Sequence, residues 1–169
     1  QNGIFEINGN QGRQIYKGNL HAFQITQSEK FPDRIYSTDG FNDFISLVYK
    51  NGIWTLEGKW NGINDDIREI VEDKQGNLWL ETFTNGLLHV TIDYQNITKP
   101  KLVKRYNQAD GLPFISGNKP IKYKDSIIFG TDKGLYFYNV KNERFEAYKM
   151  LCSEFDNERL AINNFSVSS

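Results

Sequence analysis

Residues 69–90 read EIVEDKQGNLWLETFTNGLLHV, and this stretch decides the fold. It parses as strand, tight turn, strand, turn, strand. Ile70 and Val71 end the first strand. Lys74-Gln75-Gly76-Asn77 is the turn, with Gly76 free to take a positive φ. Leu78-Trp79-Leu80 is a short apolar run of β-prone side chains. Thr84-Asn85-Gly86 turns the chain again, because Asn-Gly favours a two-residue hairpin. Leu87, Leu88 and Val90 open a third strand. A meander this small cannot bury its faces alone, so the fold depends on copies of it elsewhere in the chain.

Working outward, the short apolar strand that ends in Thr recurs. It is Arg34-Ile35-Tyr36-Ser37-Thr38 before the central copy and Ile127-Ile128-Phe129-Gly130-Thr131 after it. The three threonines Thr38, Thr82 and Thr131 are 44 and 49 residues apart. Each is followed by a Gly-containing turn, at Gly40, Gly86 and Gly134, and then by an alternating apolar strand. Gly3-Ile4-Phe5-Glu6-Ile7 repeats that third strand one copy earlier. Fourth strands are expected near 12–16, 53–58, 100–106 and 144–149. Opening strands are expected at 21–26, 67–72 and 120–124. Residues 159–167 fit the opening strand of a further copy.

Four short antiparallel strands repeating at about 45 residues are the signature of propeller blades. The expected fold is therefore all-β. It is a β-propeller fragment of about three complete four-stranded antiparallel blades with partial blades at both ends. Its expected divisions are a half blade at 1–17, blades at 20–59, 65–107 and 115–149, and a first strand at 159–167. The competing reading is a β-sandwich or an irregular meander. Composition agrees with strands: of 169 residues, 14% are aromatic, with 12 Phe, 9 Tyr and 3 Trp, beside 14 Gly and a single Met.

The net charge is -1 and no basic block occurs, which argues against a nucleic-acid partner. No apolar run approaches the ~18 residues that cross a bilayer, so no direct membrane contact is expected. Cys152 stands alone, which excludes an internal disulfide and a cysteine-based metal site.

EDKQGNLWLETFTNGLLHV resembles the two-component regulator propeller repeat, whose pattern is Asp-x-x-Gly-Asn-Leu-Trp-Leu-Gly-Thr, a turn, then Gly-Leu and a strand. The match runs through Asp73, Gly76, Asn77, Leu78, Trp79, Leu80, Thr82, Asn85, Gly86 and Leu87. DSIIFGTDKGLYFYNVKNERFEAYK is similar to a later blade, and RYNQADGLP at 105–113 resembles the connector between blades. One departure stands out: the Gly before Thr is Glu81 here and Ser37 in the preceding copy. The resemblance implies the periplasmic sensor region of a Bacteroidetes hybrid two-component histidine kinase, responding to an oligosaccharide and controlling glycan-utilisation genes. It implies a homodimer in the parent protein, and no cofactor or catalysis in this segment. Open blade edges give the segment itself a route to self-association. The rival functions are a protein–protein interaction propeller without a small ligand and a polysaccharide-degrading propeller enzyme.

Read for chemistry, the chain offers little that is catalytic. His21 and His89 occupy different places in their repeats, with no ligand spacing for a metal. Asp65-Asp66 and Glu72-Asp73 imitate a glycosidase pair, but their places at a connector and a strand end favour solvated or turn-capping roles. Trp79 and the three threonines read as scaffold. Asn96-Ile97-Thr98 fits a glycosylation sequon. Binding residues are expected in the turns after second strands and the connectors after fourth strands, which rigid blades hold in place. Trp60, Asn61, Glu81, Phe83, Asn85 and Arg105 are the candidate ligand-binding residues there, with Phe114 a further exposed aromatic. Aromatic faces stack on sugar C–H groups, and amide, carboxylate and guanidinium groups pair with hydroxyls.

Overall fold

The computed structural model describes residues 2–18, 24–40 and 42–149, so His21, Cys152 and the expected strand at 159–167 lie outside the described residues. The chain is all-β. A two-stranded sheet of β1 (Ile4–Asn8) and β2 (Gln11–Tyr16) forms a half blade. The first full blade holds β3 (Ile25–Gln27), β4 (Arg34–Asp39), β5 (Asp43–Lys50) and β6 (Ile53–Lys59). The second holds β7 (Ile67–Glu72), β8 (Leu78–Thr82), β9 (Leu87–Thr91) and β10 (Leu102–Tyr106). The third holds β11 (Lys119–Tyr123), β12 (Ser126–Thr131), β13 (Gly134–Asn139) and β14 (Arg144–Ala147). Each blade is an antiparallel meander in chain order, and the described sheets do not close a ring.

Turn chemistry repeats with the strands. Thr82 Oγ1 donates to Gly86 O at 2.7 Å and accepts the Asn85 N–H at 2.9 Å. Thr131 Oγ1 does the same, donating to Gly134 O at 2.8 Å and accepting the Lys133 N–H at 3.1 Å. The repeated threonine thus closes the turn after the second strand. Gly86 has φ 82°, and a Cβ there would sit 2.0 Å from Tyr106 O, so only glycine fits. At the other end of the second blade, Asp73 Oδ1 accepts the N–H groups of Gln75 and Asn77, both at 2.9 Å. Burial pushes the Asp73 carboxyl up, but His89 and those two N–H groups outweigh it and hold the group below its ordinary range. Pro120 sits within β11, where it pairs with Phe129; β11 is the end strand of its sheet, the place where a sheet tolerates proline.

The core lies between blades. Tyr36, Phe44, Trp60 and Ile63 from the first blade and its connector pack on Ile70, Leu78, Leu80, Leu88 and Val90 of the second. Trp79, Leu87 and Tyr106 face the other way and pack with Leu112, Phe129 and Phe145 at the third. The alternation along β8 therefore sends Leu78 and Leu80 to one neighbour and Trp79 to the next. Polar clamps reinforce these seams. Thr26 Oγ1 donates to Ile70 O at 3.0 Å, filling a carbonyl at the open edge of β7. Glu72 is buried, not solvated as its sequence position led one to expect. It accepts from Ser28 Oγ at 2.6 Å and from the Glu29 N–H at 2.5 Å, because the turn after β3 folds over it.

Candidate ligand-binding face

Antiparallel pairing brings the turn after β8 to the connector that precedes β7 and to the end of β10. Ile67 lies opposite Thr82, and Tyr106 lies opposite Leu87. Residues 40 positions apart therefore meet. Arg105 grips Asp65 with two bonds, Nη1 to Oδ1 at 3.0 Å and Nη2 to Oδ2 at 2.9 Å. Nη1 also donates to Asn85 O at 2.9 Å, and Asn85 Nδ2 donates to Asp65 Oδ1 at 2.9 Å. The Asp65 side chain is only 4% exposed, whereas Arg105 is 42% exposed. Asp65, for which the sequence predicts a solvated or turn-capping role, is not solvated: it is the buried anchor of the cluster, and Arg105 makes that burial tolerable.

Beside this cluster stands Phe83. Its main-chain N–H donates to Asp66 O at 2.9 Å, and its ring is 56% exposed. The Arg68 guanidinium lies 4.5 Å over the ring and is held by Asp66 Oδ2 at 2.8 Å. The connector after β10 continues the same end of the blades. A single 3-10 turn, Gln108–Asp110, is capped by Asn107, whose Oδ1 accepts the Ala109 N–H at 2.8 Å. Leu112 then plugs into the seam between the second and third blades. Phe114 remains partly exposed, with Lys133 Nζ 5.6 Å from its ring centre. Asn118 Nδ2 donates to Phe114 O at 2.8 Å and ties the connector back to β11.

Three of the six sequence candidates, Phe83, Asn85 and Arg105, come together here. Trp60 does not join them, which corrects its reading as a loop aromatic open to ligand. Its ring is 2% exposed and meets Tyr36 and Phe44 edge to face at 5.7 and 5.2 Å. Its Nε1 donates to Ser46 Oγ at 3.1 Å. Trp60 is a seam residue because the chain leaving β6 dives between blades before reaching β7. Asn61 is exposed, but its N–H donates to Thr98 O at 3.1 Å, in the loop between β9 and β10 and apart from the Asp65 cluster. Glu81 points to the opposite side of β8 from Leu80, toward the third blade. It lies opposite Glu69, and burial first, then Glu69, raises its pKa above the ordinary glutamate value.

Asp65, Asp66 and Arg68 are the members of the face that sequence reasoning did not select. Strand register alone joins Asp65 to Arg105, and no local motif carries that signal. The opposite end of the blades holds an open groove of 580 Å³ lined by Glu29, Lys30, Lys74, Lys122 and Asp125 among others. There Lys122 pairs with Glu29, and Lys74 lies 3.2 Å from Asp125. Its charges neutralise each other at the surface. The Phe83 end differs by presenting an exposed aromatic residue beside the Asp66–Arg68 ion pair.

An open run of β-propeller blades is the class of protein that this architecture defines. No protein-family model matches the chain, and no curated protein matches it in sequence.

Proposed function

We propose that this chain is the ligand-sensing segment of an extracytoplasmic β-propeller, in the sensor region of a hybrid two-component histidine kinase, and that its Phe83 face recognises an oligosaccharide. The observation that carries this reading is the exposed Phe83, with the Asp66-held Arg68 guanidinium over its ring, in the same turn as Asn85, which is tied to the Asp65–Arg105 ion pair. A sugar ring stacks on an aromatic face and is oriented by a few immobile polar groups. Arg105, with part of its guanidinium in solvent, and the exposed Asn85 supply donors and acceptors for hydroxyl groups. Because both are tied to a buried carboxylate, little side-chain freedom is lost on binding. The sensor assignment rests on the repeat pattern through residues 73–87 and on its propeller architecture.

The test is a titration of the full chain with a panel of neutral, acidic and sulfated oligosaccharides, followed by calorimetry and by amide NMR shifts. The expected result is shifts centred on residues 83–85 and 105, at least tenfold weaker binding for Phe83→Ala, and an unchanged melting temperature for that variant. Binding that leaves those amides unmoved, or is indifferent to Phe83→Ala, overturns the assignment of the face. No binding by any member of the panel overturns the oligosaccharide reading.

A further inference from the structure

Groups from all three full blades meet along one side of β7. Glu69 lies directly opposite Glu81 in the β7–β8 register. Glu69 Oε1 accepts from Gln24 Nε2, just ahead of β3, at 2.8 Å. Glu69 Oε2 lies 3.4 Å from Lys119 Nζ, at the start of β11. Glu81 is half-buried, and its carboxylate has no hydrogen-bond partner among the described residues.

The sister blades act as internal controls. The pairs equivalent to Glu69–Glu81 are Ile25–Ser37 in the first blade and Lys119–Gly130 in the third. Ser37 is buried and donates to Gln24 O at 2.9 Å. A scaffold therefore needs only a small residue at this position. The second blade instead sets two carboxylates face to face, with Cβ atoms about 5 Å apart as in any directly opposed pair. The charged groups around them are Arg68, which is committed to Asp66 at 2.8 Å, and Lys119. Among the described residues, the group just ahead of β3 is the uncharged Gln24, and the residue of β12 opposite Lys119 is Gly130. Among the described residues, Asp66, Glu69 and Glu81 thus share the cations Arg68 and Lys119.

We propose that Glu69 and Glu81 form a proton-sensitive latch between β7 and β8 of the second blade. With one proton on the pair, the two carboxyl groups hydrogen-bond to each other and hold β7 to β8 at this point. With both ionised, they repel each other across β7 and β8. A like-charged pair at this separation takes up its protons in two coupled steps. The raised pKa of Glu81, caused by burial first and then by Glu69, agrees with this geometry. Its sign is fixed by linkage. The latch contributes fully below the unfolded glutamate value of about 4.3, and its contribution is lost as pH rises through the higher folded value. Glu81 adjoins Thr82, whose hydroxyl closes the turn that carries Phe83, so the proton and the open ring share one short segment. The latch rests on the geometry of the three blades alone and stands whatever the Phe83 face binds.

The test is carboxyl-carbon NMR titration of the full chain, together with urea midpoints between about pH 4 and pH 7.5. The wild type is compared with Glu81→Gln and with Glu81→Ser, the residue of the first blade. The latch requires Glu81 to titrate above the ordinary glutamate range. It also requires a variant's urea midpoint to exceed that of the wild type at about pH 7.5 and to meet it near about pH 4. Ordinary titration of Glu81 in the wild type overturns the proposal, and so does a midpoint difference that does not change with pH. If neither variant folds, the wild-type titration alone decides.

Discussion

Trp79 and Phe129 meet edge to face at 5.0 Å across the seam between the second and third blades. The same indole stacks on Tyr106 at 5.6 Å and lies 4.4 Å from the His89 ring. Only 6% of Trp79 is exposed. One side chain therefore ties β8, β9 and β10 of one sheet to β12 of the next. A propeller has no single central core, so such wedges carry the packing between sheets.

Trp79→Ala removes this wedge and leaves a cavity that rigid sheets do not fill. The expected loss is about 3–5 kcal/mol, the usual range for truncating a buried large aromatic. Urea denaturation measures it as a lower midpoint at unchanged slope. A loss under about 1 kcal/mol would mean that the seam repacks without the indole.

Two glycines of equal backbone conformation separate strain from steric conflict. Gly62 and Gly86 both have φ 82°. A Cβ on Gly62 meets nothing within 4 Å, whereas one on Gly86 would sit 2.0 Å from Tyr106 O. Gly62→Ala is expected to cost about 1 kcal/mol, the strain of the left-handed region alone. Gly86→Ala adds a clash with the backbone of β10 and is expected to cost about 3 kcal/mol or more. Equal melting temperatures for the two variants would show that the turn after β8 gives way freely.

The blades were legible in the sequence because each strand carries its own signal. Period-two apolar runs, a Thr at the end of each second strand and a Gly opening each third strand are local features. The opening strand at 67–72 coincides with β7, residue for residue. The face was legible only in part. Phe83 and Asn85 lie in a turn that announces itself, and Arg105 ends a recognisable strand. Asp65 reads locally as an ordinary connector acid. Its burial comes from a partner 40 residues away, which only the register supplies. Trp60 fails for the opposite reason. A connector residue is normally exposed, but here the chain passes through the seam, and Ser46 of β5 satisfies the indole N–H.

Acid should weaken the first blade through Glu57. Its carboxylate takes both Arg34 Nε at 2.6 Å and Arg34 Nη2 at 2.9 Å, with side chains 15% and 10% exposed. Burial pushes the Glu57 carboxyl up, but the two-pronged bond and the charge of Arg34 outweigh it, so the pKa is lowered. A lowered folded pKa means a contribution that is present above the unfolded value of about 4.3 and lost as pH falls through the folded value. This is opposite in sign to the Glu69–Glu81 pair. Glu57→Gln keeps the shape and removes the charge. Its urea midpoint should lie below that of the wild type at about pH 7, because Arg34 then loses its ion pair in a largely buried site. The gap should narrow as pH falls below about 4, where the wild-type carboxylate also takes up a proton. Parallel midpoint curves for the two proteins, from about pH 7 down to about pH 3, would show that the Arg34 bond adds nothing to folding that depends on the charge of Glu57.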